Sequence, residues 1–181
     1  MKHIVTALVE NKAGVLARIV GLISGRGYNI ETLNVGPTHD PTTSKMTMVF
    51  GGEEAIIEQV VHQVGKLVDV IEVVDVTRRR HLNRELILVE VDTRRHSRAE
   101  VLKLAKLFDA RVIAVADGYL TMQMVGDHAG VEDFLRLLRP YAITDISRTG
   151  LIAVARGEHG APAAPPPAAA RPPAPKKARK A

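Results

Sequence analysis

The stretch Val9-Glu10-Asn11-Lys12-Ala13-Gly14-Val15-Leu16 decides how this chain begins to fold. It joins an extended apolar segment, His3–Glu10, which is typical of a β-strand, to Val15–Gly25, whose apolar residues recur at helical spacing. Gly14 lies at the turn between them, where a residue without a Cβ leaves room beside the first helical N–H groups. A strand that enters a helix through such a turn is the first step of an α+β unit.

The same alternation of short elements continues through the first half. Two prolines and an aspartate in residues 37–41 predict a turn between two extended segments. The elements predicted after the first helix are strands at Asn29–Gly36 and Ser44–Gly51, a helix at Glu53–Lys66 and a strand at Leu67–Thr77. The first half therefore has the order βαββαβ.

The second half repeats this order. Ser97 is a candidate N-cap for its first helix, and Asp117-Gly118 is a tight-turn signal between two of its strands. The predicted elements are strands at Glu85–Asp92, Arg111–Ala116, Tyr119–Val125 and from Ile143 onward, with helices from Ser97 to Phe108 and over Gly130–Arg139. We therefore predict an α+β chain of two consecutive ferredoxin-like βαββαβ domains, 1–77 and 84–157, joined by a linker at 78–83.

Residues 158–181 have a different composition and predict a disordered tail. Seven of the ten prolines lie between Pro162 and Pro175, and five basic residues but no acidic ones follow residue 160. The rest of the chain holds twenty basic and twenty acidic residues, so the net charge of +5 belongs to the tail. A formally neutral body gives no electrostatic indication of a nucleic-acid partner.

Composition also argues against several classes of site. The chain has no Cys, which fits a reducing cytoplasm and removes thiolate chemistry and most structural zinc sites. No apolar run is long enough for a membrane helix, and the first ten residues lack a secretory pattern. The seven histidines never recur at the spacing of a metal pair. We expect no catalytic residues, no metal site and no membrane contact.

The α-helix entrance is the best candidate for a binding function. Its free N–H groups suit a carboxylate, and Gly14 would not block the approach of one. Asn11 could bind a ligand or serve only as an N-cap, and the amide of Asn29, at the head of a strand, could reach a ligand or close a turn. The residues alone leave these alternatives open.

Several motifs in this order resemble the small regulatory subunits of acetolactate synthase. The first half carries the N-terminal ACT-domain motifs at residues 10–18, 26–33, 40–42, 44–47 and 66–70. The second half is similar at Arg84-Glu85-Leu86, at Ser147-Arg148-Thr149-Gly150 and at Ala155-Arg156-Gly157. The resemblance covers roughly the first 157 residues and does not include the proline-rich tail.

The resemblance implies a non-catalytic chain, active as a homodimer, whose paired ACT domains bind valine or a related branched-chain amino acid. The implied effector residues are Asn11, Gly14, Val15, Leu16, Asn29 and Ile30. It also implies a large catalytic subunit as partner, activated by this chain and inhibited by valine through it, in branched-chain amino-acid biosynthesis. The thiamine diphosphate, FAD and Mg²⁺ of the reaction would belong to that partner, and none would be bound by this chain.

Three alternative classes are weaker. An RNA recognition motif shares the βαββαβ order, but its third strand needs stacking aromatics that Lys45–Gly51 lacks. A stand-alone ACT-domain sensor that controls another enzyme or transcription is the main alternative, although no helix-turn-helix is evident. An independent enzyme would need a catalytic constellation, and no convincing one is present.

Overall fold

The computed structural model describes residues 2–94 and 97–156, which fold into two βαββαβ units. The first unit is a four-stranded antiparallel sheet covered on one face by two helices. Its elements are β1 (Lys2–Glu10), α1 (Val15–Ser24), β2 (Ile30–Pro37), β3 (Thr43–Gly51), α2 (Glu54–Val64) and β4 (Val70–Asp75). The strand order is β2-β3-β1-β4, so β2 and β4 are the edges.

The second unit repeats the first and adds one strand. Its elements are β5 (His81–Asp92), α3 (Arg98–Leu107), β6 (Arg111–Ala116), β7 (Tyr119–Gly126), α4 (His128–Leu138), a 3₁₀ turn (Arg139–Tyr141), β8 (Ile143–Arg148) and β9 (Ile152–Ala155). The strand order is β6-β7-β5-β8, and β9 pairs with the start of β5. The prediction of an α+β fold with two ferredoxin-like units is confirmed.

Each unit has its own apolar core between sheet and helices. In the first unit, Val15, Ile19 and Ile23 lie one turn apart on α1 and are buried against alternate residues of β1 and β3. In the second unit, Ile87, Val89 and Val91 of β5 pack beneath α3 and α4. A fully buried Val, Leu or Ile contributes about 1.5–3 kcal/mol, so these two clusters account for much of the stability.

The predicted linker 78–83 is wrong at its C-terminal end. β5 begins at His81, because β9 folds back and pairs with it from His81 opposite Ala155 to Arg84 opposite Ile152. The backbone N–H and C=O groups of residues 81–84 pair with β9, which lies about seventy residues further along the chain. The second strand signal in residues 143–157 was also missed, since "Ile143 onward" was predicted as a single strand.

A third apolar cluster joins the two units on the face of the first sheet that the helices do not cover. It consists of Ile4, Val49 and Val76 from the first unit and Leu151 and Ala153 from the second, all buried. We call this contact the junction. Val76, which follows β4, belongs to this shared cluster, so the segment that joins the two units is packed against them.

Two sequence predictions concern other features of the chain. Within the described residues, no helix is long and apolar enough to cross a membrane. The predicted disordered tail, 158–181, lies outside the described residues and stays a prediction.

Candidate functional site

The entrance to α1 presents free backbone donors. Gly14 precedes the helix with φ 85° and ψ −14°, a left-handed conformation that a residue with a Cβ adopts only at a cost. No side chain caps the helix and no acidic residue lies in its first turn. Among the described residues, no acceptor contacts the backbone N–H groups of Leu16 and Ala17. This end of α1 is therefore suited to an anionic group.

Asn11 braces the loop in front of α1 and does not cap the helix. Its backbone N–H donates to the Thr42 carbonyl at 2.7 Å, and its side-chain Nδ2 donates to the Pro41 carbonyl at 3.0 Å. Both acceptors belong to the loop between β2 and β3. The alternative that Asn11 is simply an N-cap is wrong, because the position directly before the helix belongs to Gly14.

The loop that receives Asn11 is itself fixed by Asp40. Its Oδ1 accepts from the backbone N–H of Thr42 at 2.8 Å and from the Thr42 hydroxyl at 2.7 Å. These two hydrogen bonds lower the pKa of Asp40 below its ordinary value, with the hydroxyl bond the larger cause. The motif Asp40-Pro41-Thr42 therefore positions the Pro41 carbonyl against Asn11.

The two apolar residues at the helix entrance differ in exposure. Val15 is buried in the first core, so only its backbone faces the entrance. Leu16 is 44% exposed and can contact a ligand or another chain. Next to them, Arg18 forms an ion pair with Asp69, the residue before β4, and this contact connects α1 to the start of β4.

Asn29 and Ile30 lie at the opposite end of the unit. Ile30 pairs with Phe50, which pairs with His3, whereas Asn11 follows Glu10 at the other end of β1. Seven residues along a strand separate these ends by about 24 Å. Asn29 is exposed in the segment before β2, and Ile30 packs on the first core. One chain therefore does not bring the six predicted effector residues together.

A charged cluster at the junction was not predicted from sequence. Glu85 of β5 is almost completely buried, and its carboxylate accepts from Arg148 of β8 at 2.6 Å (Nε to Oε1) and 3.0 Å (Nη2 to Oε2). Arg148 Nη1 also lies 2.9 Å from Glu132 Oε1 on α4. The hydrogen bond from Arg148 lowers the pKa of Glu132, and the two glutamates hold the pKa of Arg148 above its ordinary value.

The first unit contributes its own charges to this cluster. Lys2 Nζ of β1 lies 3.3 Å from Glu31 Oε2 of β2 and 3.2 Å from His128 Nε2 at the start of α4. His128 Nδ1 in turn lies 3.8 Å from Glu85 Oε2. Gly51 lies beside the Lys2–Glu31 pair, and a Cβ there would displace the end of the Glu31 side chain.

A sequence signal for this cluster existed. Glu85 occupies the same face of β5 as Ile87, Val89 and Val91, so the alternation alone places a carboxylate at the edge of the core. A buried carboxylate requires a cation or several donors. Within residues 2–94 and 97–156, no group of three or more His, Asp or Glu side chains is placed to hold a metal ion.

Comparison with known proteins agrees with this architecture. Residues 5–72 match a family model described as the AHAS small subunit-like ACT domain, and residues 84–157 match one described as the small subunit of acetolactate synthase. The acetolactate synthase small subunit of Aquifex aeolicus is 42% identical over 156 residues, 86% of this chain and 81% of that protein. The isozyme 3 small subunit of Escherichia coli is 38% identical over 159 residues, 87% and 98% of the two chains.

A solved structure is similar along the same length. The crystal structure of the acetolactate synthase small subunit from Thermotoga maritima superposes with a TM-score of 0.79 at 30% identity, and the match covers 87% of this chain and 98% of that one. Both family models and the relatives span the two βαββαβ units together. This chain belongs to the acetolactate synthase small subunit family.

Proposed function

We propose that this chain activates the large catalytic subunit of an acetolactate synthase and makes it sensitive to valine. The family assignment supports a regulatory role beside a catalytic partner. The observation that carries the effector part is the entrance to α1, where no side chain caps the helix and the N–H groups of Leu16 and Ala17 have no acceptor among the described residues. An α-amino acid brings the carboxylate that such an entrance favours.

A second copy of the chain would complete the effector site. β2 is an edge strand, and its Val35 side chain is 40% exposed. If two β2 strands pair about a two-fold axis, they run antiparallel, so the start of one lies beside the end of the other. The end of β2 lies close to Asn11, since Pro37 pairs with Ser44 and Asn11 bonds to Thr42. Asn29 of one copy would thus approach Gly14 of the other.

The same pairing sets what each side of the site would do. The N–H groups of Leu16 and Ala17 would donate hydrogen bonds to the ligand carboxylate, and the Asn29 amide of the other copy would bond a charged end of the ligand. The exposed part of Leu16 would contact the branched side chain. Thiamine diphosphate, FAD and Mg²⁺ would be held by the catalytic subunit, and the complex would work in the cytoplasm.

The test is acetolactate formation from pyruvate by the catalytic subunit, with and without this chain, across a range of valine concentrations. Gly14→Asp would place an anion against the ligand carboxylate, and Asn29→His would remove the amide. Loss of a charge-assisted hydrogen bond is worth about 1.5–3 kcal/mol, so each variant should raise the valine inhibition midpoint about 10- to 150-fold. A variant that no longer binds valine can still bind and activate the catalytic subunit, so activation without valine should persist.

Ala55→Asp is the matched control. It adds the same charge in the first turn of α2, in the same unit, at an exposed position. The valine midpoint of this control should equal that of the wild type. Unchanged midpoints in both Gly14→Asp and Asn29→His would contradict the proposed site, and failure of the wild-type chain to raise catalytic turnover would contradict the proposed role.

A further inference from the structure

The outer strand β6 of the second sheet has an exposed, apolar edge. Five of its six residues are exposed, and none of the residues between Arg111 and Asp117 is charged. Ile113 is 46% exposed and Val115 is 55% exposed. A bulge at Ile113 interrupts the pairing with β7 but adds no charge to the edge. Proteins normally protect a free edge strand with charged residues, so this edge indicates a partner.

The other outer strands of the two units differ from β6 in this respect. Glu31 lies in β2, Glu72 and Asp75 lie in β4, and Asp145 lies in β8. A charged side chain on an edge strand opposes pairing with another chain. Among the edge strands of the described residues, β6 is therefore the one best suited to receive an added strand.

A groove of about 430 Å³ lies between β6 and α3. Leu102 and Ala105 of α3 and Val112 of β6 form its apolar walls, and the small side chains of Ala99 and Ala110 leave its space open. A strand added to the outer side of β6 would lie beside this groove. Strand addition gains affinity from main-chain hydrogen bonds and specificity from side-chain pockets next to the edge.

The charge of the groove selects among possible occupants. Lys103 and Lys106 line it, no acidic residue does, and neither ammonium group has an ion-pair partner in the part of the chain that the structure describes. A second copy paired through β6 about a two-fold axis would place α3 beside α3 and bring these like charges together. The chain's own tail is also basic, with five basic and no acidic residues after residue 160. An acidic segment of a different protein is the occupant that complements the groove.

We propose that an extended segment of the catalytic subunit, carrying aliphatic and acidic side chains, binds the α3–β6 groove by adding a strand to β6. This rests on the proposed function, because it names the surface on which that partner docks. An aliphatic side chain enters the space between Leu102 and Val112, and a carboxylate meets Lys103 and Lys106. The groove belongs to the second unit and is separate from the α1 entrance and the β2 edge of the first.

Hydrogen exchange of the full-length chain, with and without the catalytic subunit, tests the added strand. Amide exchange in residues 111–116 should slow about tenfold or more at saturating catalytic subunit, because the outward N–H groups of β6 gain acceptors. β4 is the internal control, since it is also an outer strand and has no part in the proposed contact. Its exchange should stay the same.

A charge-reversed variant tests the two lysines. Lys103→Glu combined with Lys106→Glu should raise the concentration of this chain that half-saturates activation about tenfold at low salt. The difference from wild type should nearly vanish at about 1 M salt, where the Debye length is about 3 Å. Lys66→Glu combined with Arg139→Glu is the control, because it makes the same change in net charge at exposed positions outside the groove. This control should behave as wild type.

A filled variant tests the apolar space without changing charge. Ala99→Phe places a large side chain in the groove from an exposed position, so it should weaken half-saturation about tenfold at low and high salt alike. Ala55→Phe is the matched control, because Ala55 is the exposed second residue of α2 as Ala99 is of α3. It should leave half-saturation unchanged.

Three results would overturn the α3–β6 site. The first is unchanged exchange in residues 111–116 on addition of the catalytic subunit. The second is wild-type half-saturation in both the charge-reversed and the filled variant. The third is protection of β6 that depends on the concentration of this chain alone, which would make a second copy the occupant. Failure of the proposed function is seen separately, as no rise in turnover with the wild-type chain whether or not β6 is protected.

Discussion

Replacing Arg148 by Met should strongly destabilise the chain, because it leaves a buried charge without its partner. The Glu85 side chain is 1% exposed and receives two hydrogen bonds from the Arg148 guanidinium. Methionine keeps the apolar stem and removes both donors. Breaking a buried ion pair costs about 3–5 kcal/mol, far more than the pair itself contributes relative to two apolar residues.

The exposure of Arg148 sets the expected size. Its side chain is 32% exposed, so water can reach the position it leaves, and the lower end of the range, about 3 kcal/mol, applies. In a chain of this length 1 kcal/mol corresponds to about 2–4 °C, which gives a fall in Tm of about 6–12 °C. Urea denaturation and calorimetry at fixed protein concentration measure both quantities, since any self-association makes Tm concentration-dependent.

Two further variants make this reasoning refutable. Glu85→Leu combined with Arg148→Met removes both charges and should restore stability to within about 1 kcal/mol of wild type. Arg136→Met, which breaks an exposed pair with Asp133 on α4, should cost less than about 0.5 kcal/mol. If Arg148→Met behaves like Arg136→Met, or if the double variant is no more stable than the single one, Glu85 is not buried as described.

Changes at single residues should alter stability in three further places. Gly14→Ala should lose about 1–2 kcal/mol in urea denaturation, because Gly14 has φ 85° although a Cβ has open space there, whereas Gly21→Ala inside α1 should gain about 0.5–1 kcal/mol. The pKa of Glu132 is lowered, so its ionised carboxylate stabilises the fold above the ordinary pKa of 4.5, and this stabilisation is lost as pH falls through the lowered pKa. Glu132→Gln should flatten the stability–pH curve in this range. Asn11→Ala removes the bond to the Pro41 carbonyl and should speed hydrogen exchange in residues 38–43, with a loss of about 1 kcal/mol.

Local patterns were enough to predict most elements of the fold. The residues Val15, Ile19 and Ile23 show helical spacing in the sequence and form the buried face of α1. Gly14 was expected at the turn, and it lies there in a left-handed conformation. These features depend on neighbours within one or two helical turns, so one stretch of chain contains the information that decides them.

Contacts between distant residues were beyond such patterns. The polar sequence of His81–Arg84 resembles a linker until β9 is known to pair with it. Asn11 was expected to act on α1, yet its acceptors lie thirty residues further along, in a loop fixed by Asp40. In both cases a polar side chain or backbone group has several possible partners in the sequence, and only the fold chooses among them.

The burial of Glu85 can be predicted from sequence, but the residue that neutralises its charge cannot. Alternation along β5 places its carboxylate on the core face, and a carboxylate there requires a cation. Twenty-five Lys and Arg residues are available in the sequence, and the one used is sixty-three residues away on β8. Because β8 pairs with β5, Ile87 stands opposite Arg148, which brings the guanidinium to Glu85 and extends it to Glu132 of α4. The junction therefore depends on strand register, and a shift by one residue would turn Arg148 to the opposite face of the sheet and break the cluster.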